Sequence, residues 1–343
     1  MKKNKILFLL SIILILSILF TGCNYEVADI EKDYENKLEV HYIDVGQGDS
    51  TFIEFPNGET SLIDGGTRKS GEKVVKYLKD LGVDKIDYLV ITHPHEDHIG
   101  GLPKVIKNFD IGKVYMPERT ANTVIFEELL KEIKNKNLKI NLAKGGNSII
   151  DEGNLKYIIL SPNRNDYNET NDFSVVTKVE YMDTSFIFAG DAEKDSEMDI
   201  IEKGYDLKAD VLKVGHHGGR TSSNDEFLKK INPDYSIISL GAGNTYGHPH
   251  RETINRLNKI GSNIMRTDEL GDITITSDGR KLDISAGTTV KDKNEVYYIG
   301  NKNTKVFHRE GCGSLPKEEN QVIFNTLEEA IENGYTPHDK CVK

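Results

Sequence analysis

The chain has 343 residues, 37% hydrophobic and 29% charged, enough for one large packed core and a small second one. Its formal charge of −11 excludes a charge-driven, non-specific nucleic-acid binder. Any chemistry on nucleic acid therefore has to depend on bound cations that reverse the local potential.

At the N-terminus Lys2, Lys3 and Lys5 precede an apolar run over residues 6–20, closed by Thr21-Gly22-Cys23. A short basic region, an apolar core and small residues before a cleavage point describe a secretory signal. As a membrane span the run is short, about 15 residues against roughly 20. The Thr21-Gly22-Cys23 end resembles the bacterial lipobox, with Phe20 where leucine is more usual, which implies a lipid on Cys23. On this reading residues 1–22 are a lipoprotein signal peptide and 23–37 a polar tether. The remainder is then lipid-anchored at the extracellular face of the bacterial cell membrane, and more acidic for the loss of three lysines.

Past the tether, strands are expected over 40–45 and 50–55, joined by the Gly46-Gln47-Gly48-Asp49 turn. A strand at 61–63 ends in Asp64-Gly65-Gly66, a helix covers 73–81, and a strand over 86–92 runs into His93-Pro94-His95-Glu96-Asp97-His98. Helices follow Gly100-Gly101 and cover 124–133, with a strand at 113–116 between them. Strands at 157–160, 174–181 and 185–189 come next, then helices from Lys194, Asp225 and Arg251 alternating with strands at 209–215 and 235–240. A hairpin over 272–276 and 281–284 closes a domain spanning 38–285. Strand-rich stretches alternating with helices imply an α/β sandwich of two sheets covered by helices. Residues 286–295 read as a linker, and 296–343 as a small α+β module with a helix at 326–333, too short to bury much core and in need of a staple.

Seven of the ten histidines sit in three places: His93, His95 and His98; His216 and His217; His248 and His250. Each group follows an apolar run, and Asp64 and Asp191 end two more. Five strand ends thus carry ligand-type residues, which suits a transition-metal centre with open positions for water.

The cluster at 93–98 resembles the signature of the metallo-β-lactamase fold, an αββα sandwich. His41-Tyr42-Ile43-Asp44-Val45-Gly46-Gln47-Gly48-Asp49-Ser50, Asp64-Gly65-Gly66, Gly190-Asp191-Ala192-Glu193, His216-His217-Gly218 and Tyr246-Gly247-His248-Pro249-His250 follow the order seen in the metallo-β-lactamase-like domain of ComEC competence proteins. That resemblance covers residues 38–285 and lacks the membrane channel of the full-length competence protein. It implies two divalent metals, zinc or manganese: His93 and His95 on the first, Asp97, His98 and His248 on the second, and Asp191 bridging. Asp97 would orient a metal-activated hydroxide and His216 would protonate the leaving oxygen. Asp64, Asn171, Ser174 and His217 would stand around the centre, His217 and His250 as supports of their neighbours. Lactamase and glyoxalase members carry a further histidine on the first metal. None occurs here between His98 and His216, the matching segment being Asn171-Asp172-Phe173-Ser174, which counts against both activities.

Near the C-terminus, His308-x3-Cys312 and His338-x2-Cys341 offer four N and S ligands for one structural zinc; the alternative is a Cys312 to Cys341 disulfide. The segment resembles the metal-binding module of the Ada repair protein, whose ligands are all cysteines and which is known fused to nucleases. Two histidine replacements keep a zinc set but remove support for methyl-accepting thiol chemistry. The expectation is an extracellular, monomeric, metal-dependent phosphodiesterase acting on DNA. Its alternatives are a hydrolase of a small phosphodiester or ester, and a non-enzymatic surface protein that binds nucleic acid.

Overall fold

The computed structural model describes residues 37–286 and 298–342, apart from 310, 311, 313, 318, 319, 325, 326 and 340. The signal, Cys23, the tether before Lys37 and nearly all of the linker lie outside the described residues. Among the described residues no helix is long and apolar enough to cross a membrane.

One sheet begins with β1 (Leu38–Tyr42), β2 (Thr51–Glu54) and β3 (Thr60–Ile63). After α1 (Gly71–Asp80) comes β4 (Lys85–Val90), then α2 (Glu96–Ile99), α3 (Leu102–Asn108) and β5 (Asp110–Met116). Helix α4 (Val124–Asn135) leads to the edge strand β6 (Ile140–Leu142). The second sheet holds β7 (Ser148–Glu152), β8 (Leu155–Ser161), β9 (Val176–Tyr181) and β10 (Thr184–Phe188), then α5 (Lys194–Glu202) and β11 (Val211–Lys213). It continues through α6 (Asp225–Ile231), β12 (Tyr235–Ile238), α7 (Arg251–Lys259) and β13 (Asn263–Arg266). Helix α8 (Thr267–Leu270) then returns the chain to the first sheet as the hairpin β14 (Ile273–Ser277) and β15 (Leu282–Ala286). The two strand orders are β15-β14-β1-β2-β3-β4-β5-β6 and β13-β12-β11-β10-β9-β8-β7.

Period-two alternation explains the layering. Ile53, Ile63 and Val90 point into the space between the sheets, where they meet Phe186, Phe188, Val211 and Ile237 from the facing sheet. Their neighbours Phe52, Leu62 and Leu89 point outward against α1, α3 and α4. On the other side Ile187, Leu212 and Ile238 pack under α5, α6 and α7. Three apolar clusters separated by two sheets make the αββα sandwich expected from the sequence. Each large side chain fully buried this way contributes about 1.5–3 kcal/mol.

Sequence and structure part at the ends of elements. The strand expected at 209–215 stops at Lys213, because Gly215–Gly218 turns in a short 3-10 segment with His216 and His217 in the left-handed region. The strand expected from 174 starts at Val176, after a 3-10 turn at Asn171–Phe173. Strands β6, β7 and β13 were not expected: β6 is exposed along its length and has no buried alternation to read, and β7 carries a register shift.

A four-stranded sheet, β18 (Gln321–Phe324), β16 (Tyr298–Asn301), β17 (Val306–Arg309) and β19 (Thr336–Pro337), and one helix, α9 (Leu327–Glu332), form the C-terminal module. Its apolar cluster is small: Tyr298, Phe307, Phe324, Ala330, Tyr335 and Val342.

Candidate metal centres

Strands β3 and β4 run parallel, as do β10, β11 and β12, and their C-terminal ends deliver Asp64, the 93–98 cluster, Asp191 and the 216–217 pair. The 46–49 turn closes over them. Gly48 is in the left-handed half of the map, and a Cβ there would collide with the Asp97 carbonyl oxygen, which accepts from the Asp49 N–H at 3.1 Å. Only glycine lets the turn approach this closely.

Asp191 lies at the centre, nearly fully buried. Its Oδ2 is 3.2 Å from His98 Nε2, 3.6 Å from His217 Nε2, 3.8 Å from His93 Nε2 and 3.9 Å from His216 Nε2. Asp97 Oδ2 stands 3.3 Å from His217 Nε2, and His95 Nδ1 stands 2.9 Å from His93 Nε2. Two ligands at about 2.0–2.1 Å on one tetrahedral ion are about 3.3–3.4 Å apart, close to these spacings. Asp191 Oδ1, His98 Nε2 and His217 Nε2 are buried without a hydrogen-bond partner. Buried polar atoms are normally satisfied, so three convergent orphans fit divalent ions. Two ligand sets share Asp191: His93 with His95, and Asp97 with His98 and His217.

His217 therefore occupies the place the family resemblance gave to His248. It is almost wholly buried and left-handed, with φ 52°, a conformation that costs a non-glycine residue of order 1–3 kcal/mol and concentrates at functional sites. His248 stands one ring further out, its centroid 6.1 Å from His217 and 5.4 Å from His216, and His250 lies 4.9 Å beyond it.

A second layer fixes the first. Asp64 accepts from the Thr92 N–H at 2.9 Å and Thr92 Oγ1 at 2.6 Å, and holds His98 Nδ1 at 2.7 Å. Ser174 Oγ accepts from the Asp191 N–H at 3.1 Å and lies 3.3 Å from His93 Nδ1. Asp49 Oδ1 is 3.2 Å from His217 Nδ1, and its other oxygen accepts from the buried Lys213 Nζ. Glu193 Oε1 sits 3.0 Å from His216 Nδ1 and accepts from Asn171 Nδ2 at 3.0 Å. Asp49, Lys213 and Glu193 were not singled out from the sequence. A lysine inside the otherwise apolar run at 211–214 was the readable signal, since burial of a lysine requires a partner.

Charge in this cluster is balanced internally. Burial disfavours protonation of His217, yet the carboxylates of Asp191 and Asp49 push it up to about 10. His98 moves up against its burial for the same reason, through Asp191, Asp64 and Asp97. Asp191 is held well below the carboxylate range, against its own burial, by His98 and His217.

In the module both cysteines are free thiols. Cys312 Sγ is 3.5 Å from His308 Nδ1 and 3.7 Å from His338 Nδ1, and Cys341 Sγ is 3.3 and 3.8 Å from His338 and His308. Ligands at 2.0 and 2.3 Å on a tetrahedral zinc are about 3.5 Å apart, so the four atoms fit one zinc.

A four-layer sandwich with carboxylate and imidazole ligands at its strand ends defines a metal-dependent hydrolase class. Residues 43–242 match the Metallo-beta-lactamase superfamily, to which the chain belongs, and residues 289–343 match the Metal binding domain of Ada. The chain is 32% identical over 252 residues to ComE operon protein 3 of Bacillus subtilis (strain 168), covering 68% of this chain and 32% of the relative. It is 29% identical over 259 residues to Recombination protein 2 of Haemophilus influenzae, covering 73% and 30%. It thus spans about a third of the length of these relatives. Among solved structures it resembles a diphosphatase from the PhnP family at 15% identity and TM-score 0.43, covering 70% of this chain and 98% of that one.

Proposed function

We propose that the chain is a two-metal phosphodiesterase acting on DNA, held outside the cell by a lipid on Cys23. The observation that carries the reading is the convergence of His93, His98 and His217 Nε2 within 3.8 Å of Asp191 Oδ2, with His98 Nε2, His217 Nε2 and Asp191 Oδ1 buried and unpartnered. Similarity to relatives named for recombination and competence supports DNA as the substrate class.

Divalent ions in such a pair lower the pKa of a shared water and neutralise charge developing on a phosphoryl group. The protein's part is positioning. Asp97, fixed against His217, is placed to orient the attacking oxygen. The segment Asn171-Asp172-Phe173-Ser174 offers no further histidine, so an ion on His93 and His95 would keep a position open to water or substrate oxygen. His216 is partly exposed, its Nδ1 engaged by Glu193 and its Nε2 turned toward the centre, so it can donate a proton to the leaving oxygen. Manganese suits the carboxylate-rich set as well as zinc.

The acidic surface favours a second reading, a small phosphodiester as substrate. Incubating the chain with single-stranded DNA, duplex DNA and bis(4-nitrophenyl) phosphate, with manganese or zinc, separates the two. DNA turnover that vanishes in Asp97→Ala is the expected result, and turnover of the small diester alone would favour the second reading. For the anchor, Cys23→Ser should release the protein from the membrane fraction; unchanged partitioning would overturn it.

A further inference from the structure

Beside His95 the surface opens into a cleft of about 570 Å³, walled by Pro94, Glu96, Arg119, residues 120–125 and Thr170. Arg119 is pinned there. Its guanidinium carbon lies 4.9 Å from the centroid of Phe173, its Nη2 donates to Thr170 Oγ1 at 2.9 Å, and its Nε is buried without a partner. Arg68, Arg164 and Arg266 are each paired with carboxylates, whereas Arg119 forms no ion pair among the described residues. A guanidinium with its side-chain freedom already spent and its Nε still unpartnered is preorganised for an oxyanion. Helix α4 starts at the same cleft, so its N-terminal dipole adds to the attraction. Glu96 is the acidic group in the wall, and its carboxylate is occupied by the Arg68 N–H at 2.8 Å.

From His95 an unbroken series of ring contacts crosses the centre. His95 meets His93 at 4.6 Å, His93 meets His98 at 4.2 Å, His98 meets His217 at 5.3 Å and His217 meets His248 at 6.1 Å. The series ends on Tyr246, stacked on His248 with ring centroids 5.7 Å apart and planes 22° apart. Tyr246 is 65% exposed, among the most exposed large apolar side chains described, and its position beside the ligands gives it a use. A ring backed by another ring is a platform on which an unpaired base stacks, whereas a base held in a duplex cannot reach it.

We infer that Arg119 holds a phosphate flanking the scissile one and that Tyr246 stacks an unpaired base at the opposite end of the histidine series, so that the substrate is single-stranded nucleic acid. This rests on the phosphodiesterase reading and names its substrate. The local cation and the stacking face also explain how an acidic protein can hold a polyanion at one place only.

The test uses the full chain and a fluorescein-labelled oligothymidylate of about 12 nucleotides, within the usual site size. Anisotropy measures binding, and turnover is compared with that of bis(4-nitrophenyl) phosphate and of a duplex of equal length. Arg119→Ala should weaken binding about tenfold and lower the salt slope by about one, with Arg119→Lys between it and the wild type. Tyr246→Ala should weaken binding by about tenfold, and Tyr246→Phe by little. In both alanine variants the ratio of oligonucleotide to small-diester turnover should fall by the same order. Binding within twofold of wild type, equal losses on both substrates, or no preference for the single strand would overturn the inference. If the wild type cleaves the small diester but neither binds nor cleaves the oligonucleotide, this inference alone falls. If it cleaves neither, the phosphodiesterase reading falls with it.

Discussion

The module and the sandwich each gather metal-binding side chains, on unequal foundations. His308, Cys312, His338 and Cys341 come from a short segment whose apolar cluster is a handful of side chains, and all four donor atoms lie within 4.8 Å of one another. The sandwich draws its ligands from strand ends far apart in sequence, above three apolar clusters that need no ion to pack. In the first case an ion would close the fold; in the second the fold itself holds a strained, charge-dense site. Four protein ligands would leave a zinc in the module no vacancy for chemistry, while His93 and His95 with Asp191 would leave an ion in the sandwich a position free.

The largest expected effect tests the first half of that contrast. Structural zinc contributes about 10–16 kcal/mol of apparent binding free energy in small domains, so the Cys312→Ser, Cys341→Ser double variant should lose one zinc and the whole module fold. The sandwich should melt as before. Elemental analysis with amide exchange over residues 298–342 reads both, and zinc retained by the double variant would sink the assignment. In the sandwich the sign reverses: Asp191→Ala should cut turnover by on the order of 10³ or more while the fold survives. An unfolded Asp191→Ala protein would show that the two sites are not built differently.

The next effect lies between fold and chemistry. Lys213 and Asp49 are both nearly fully buried and ion-paired, and Asp49 also orients His217. Asp49→Asn leaves a buried cation without its counter-charge, which costs about 3–5 kcal/mol. It should also weaken metal binding about 10–100-fold through the freed imidazole. Denaturant melts and metal titration check the two separately. Stability lost with affinity unchanged would make Asp49 a packing residue only.

The sandwich was legible in the sequence because its strands alternate and its helices follow them at regular spacing. Asp64, Asp191 and the 93–98 cluster were legible because strand ends in such folds collect ligands. His217 was read as a support of its neighbour, not as a group facing Asp191. His216 and His217 look alike as a pair after an apolar run, and only the left-handed turn at Gly215–Gly218 decides which faces the buried carboxylates. Asp49 and Lys213 escaped because their partnership spans 164 positions, a pairing that no local pattern encodes. In the module the spacing of the two pairs and the resemblance to the Ada module suggested the four ligands, but a Cys312 to Cys341 disulfide stayed open, and the structure has both as free thiols.

His41 offers the smallest effect and the sharpest control, a histidine of the sandwich placed for packing. Its Nδ1 lies 3.1 Å from both the Tyr77 hydroxyl and Thr274 Oγ1, with Glu39 Oε2 3.7 Å from Nε2 and the Glu54 carboxylate nearby. Those carboxylates would favour a charged ring, but burial outweighs them and lowers His41 from 6.5 to about 4. Between those values the unfolded chain takes up a proton that the folded chain refuses. The contribution of this ring to stability is therefore fully present above pH 6.5 and is lost as pH falls to 4, amounting to about 3 kcal/mol at most. His41→Asn should flatten the stability profile across that window and leave metal content unchanged. A profile unchanged by the substitution would mean that the folded ring titrates normally. Metal loss would instead mean that His41 belongs with the histidines of the strand ends.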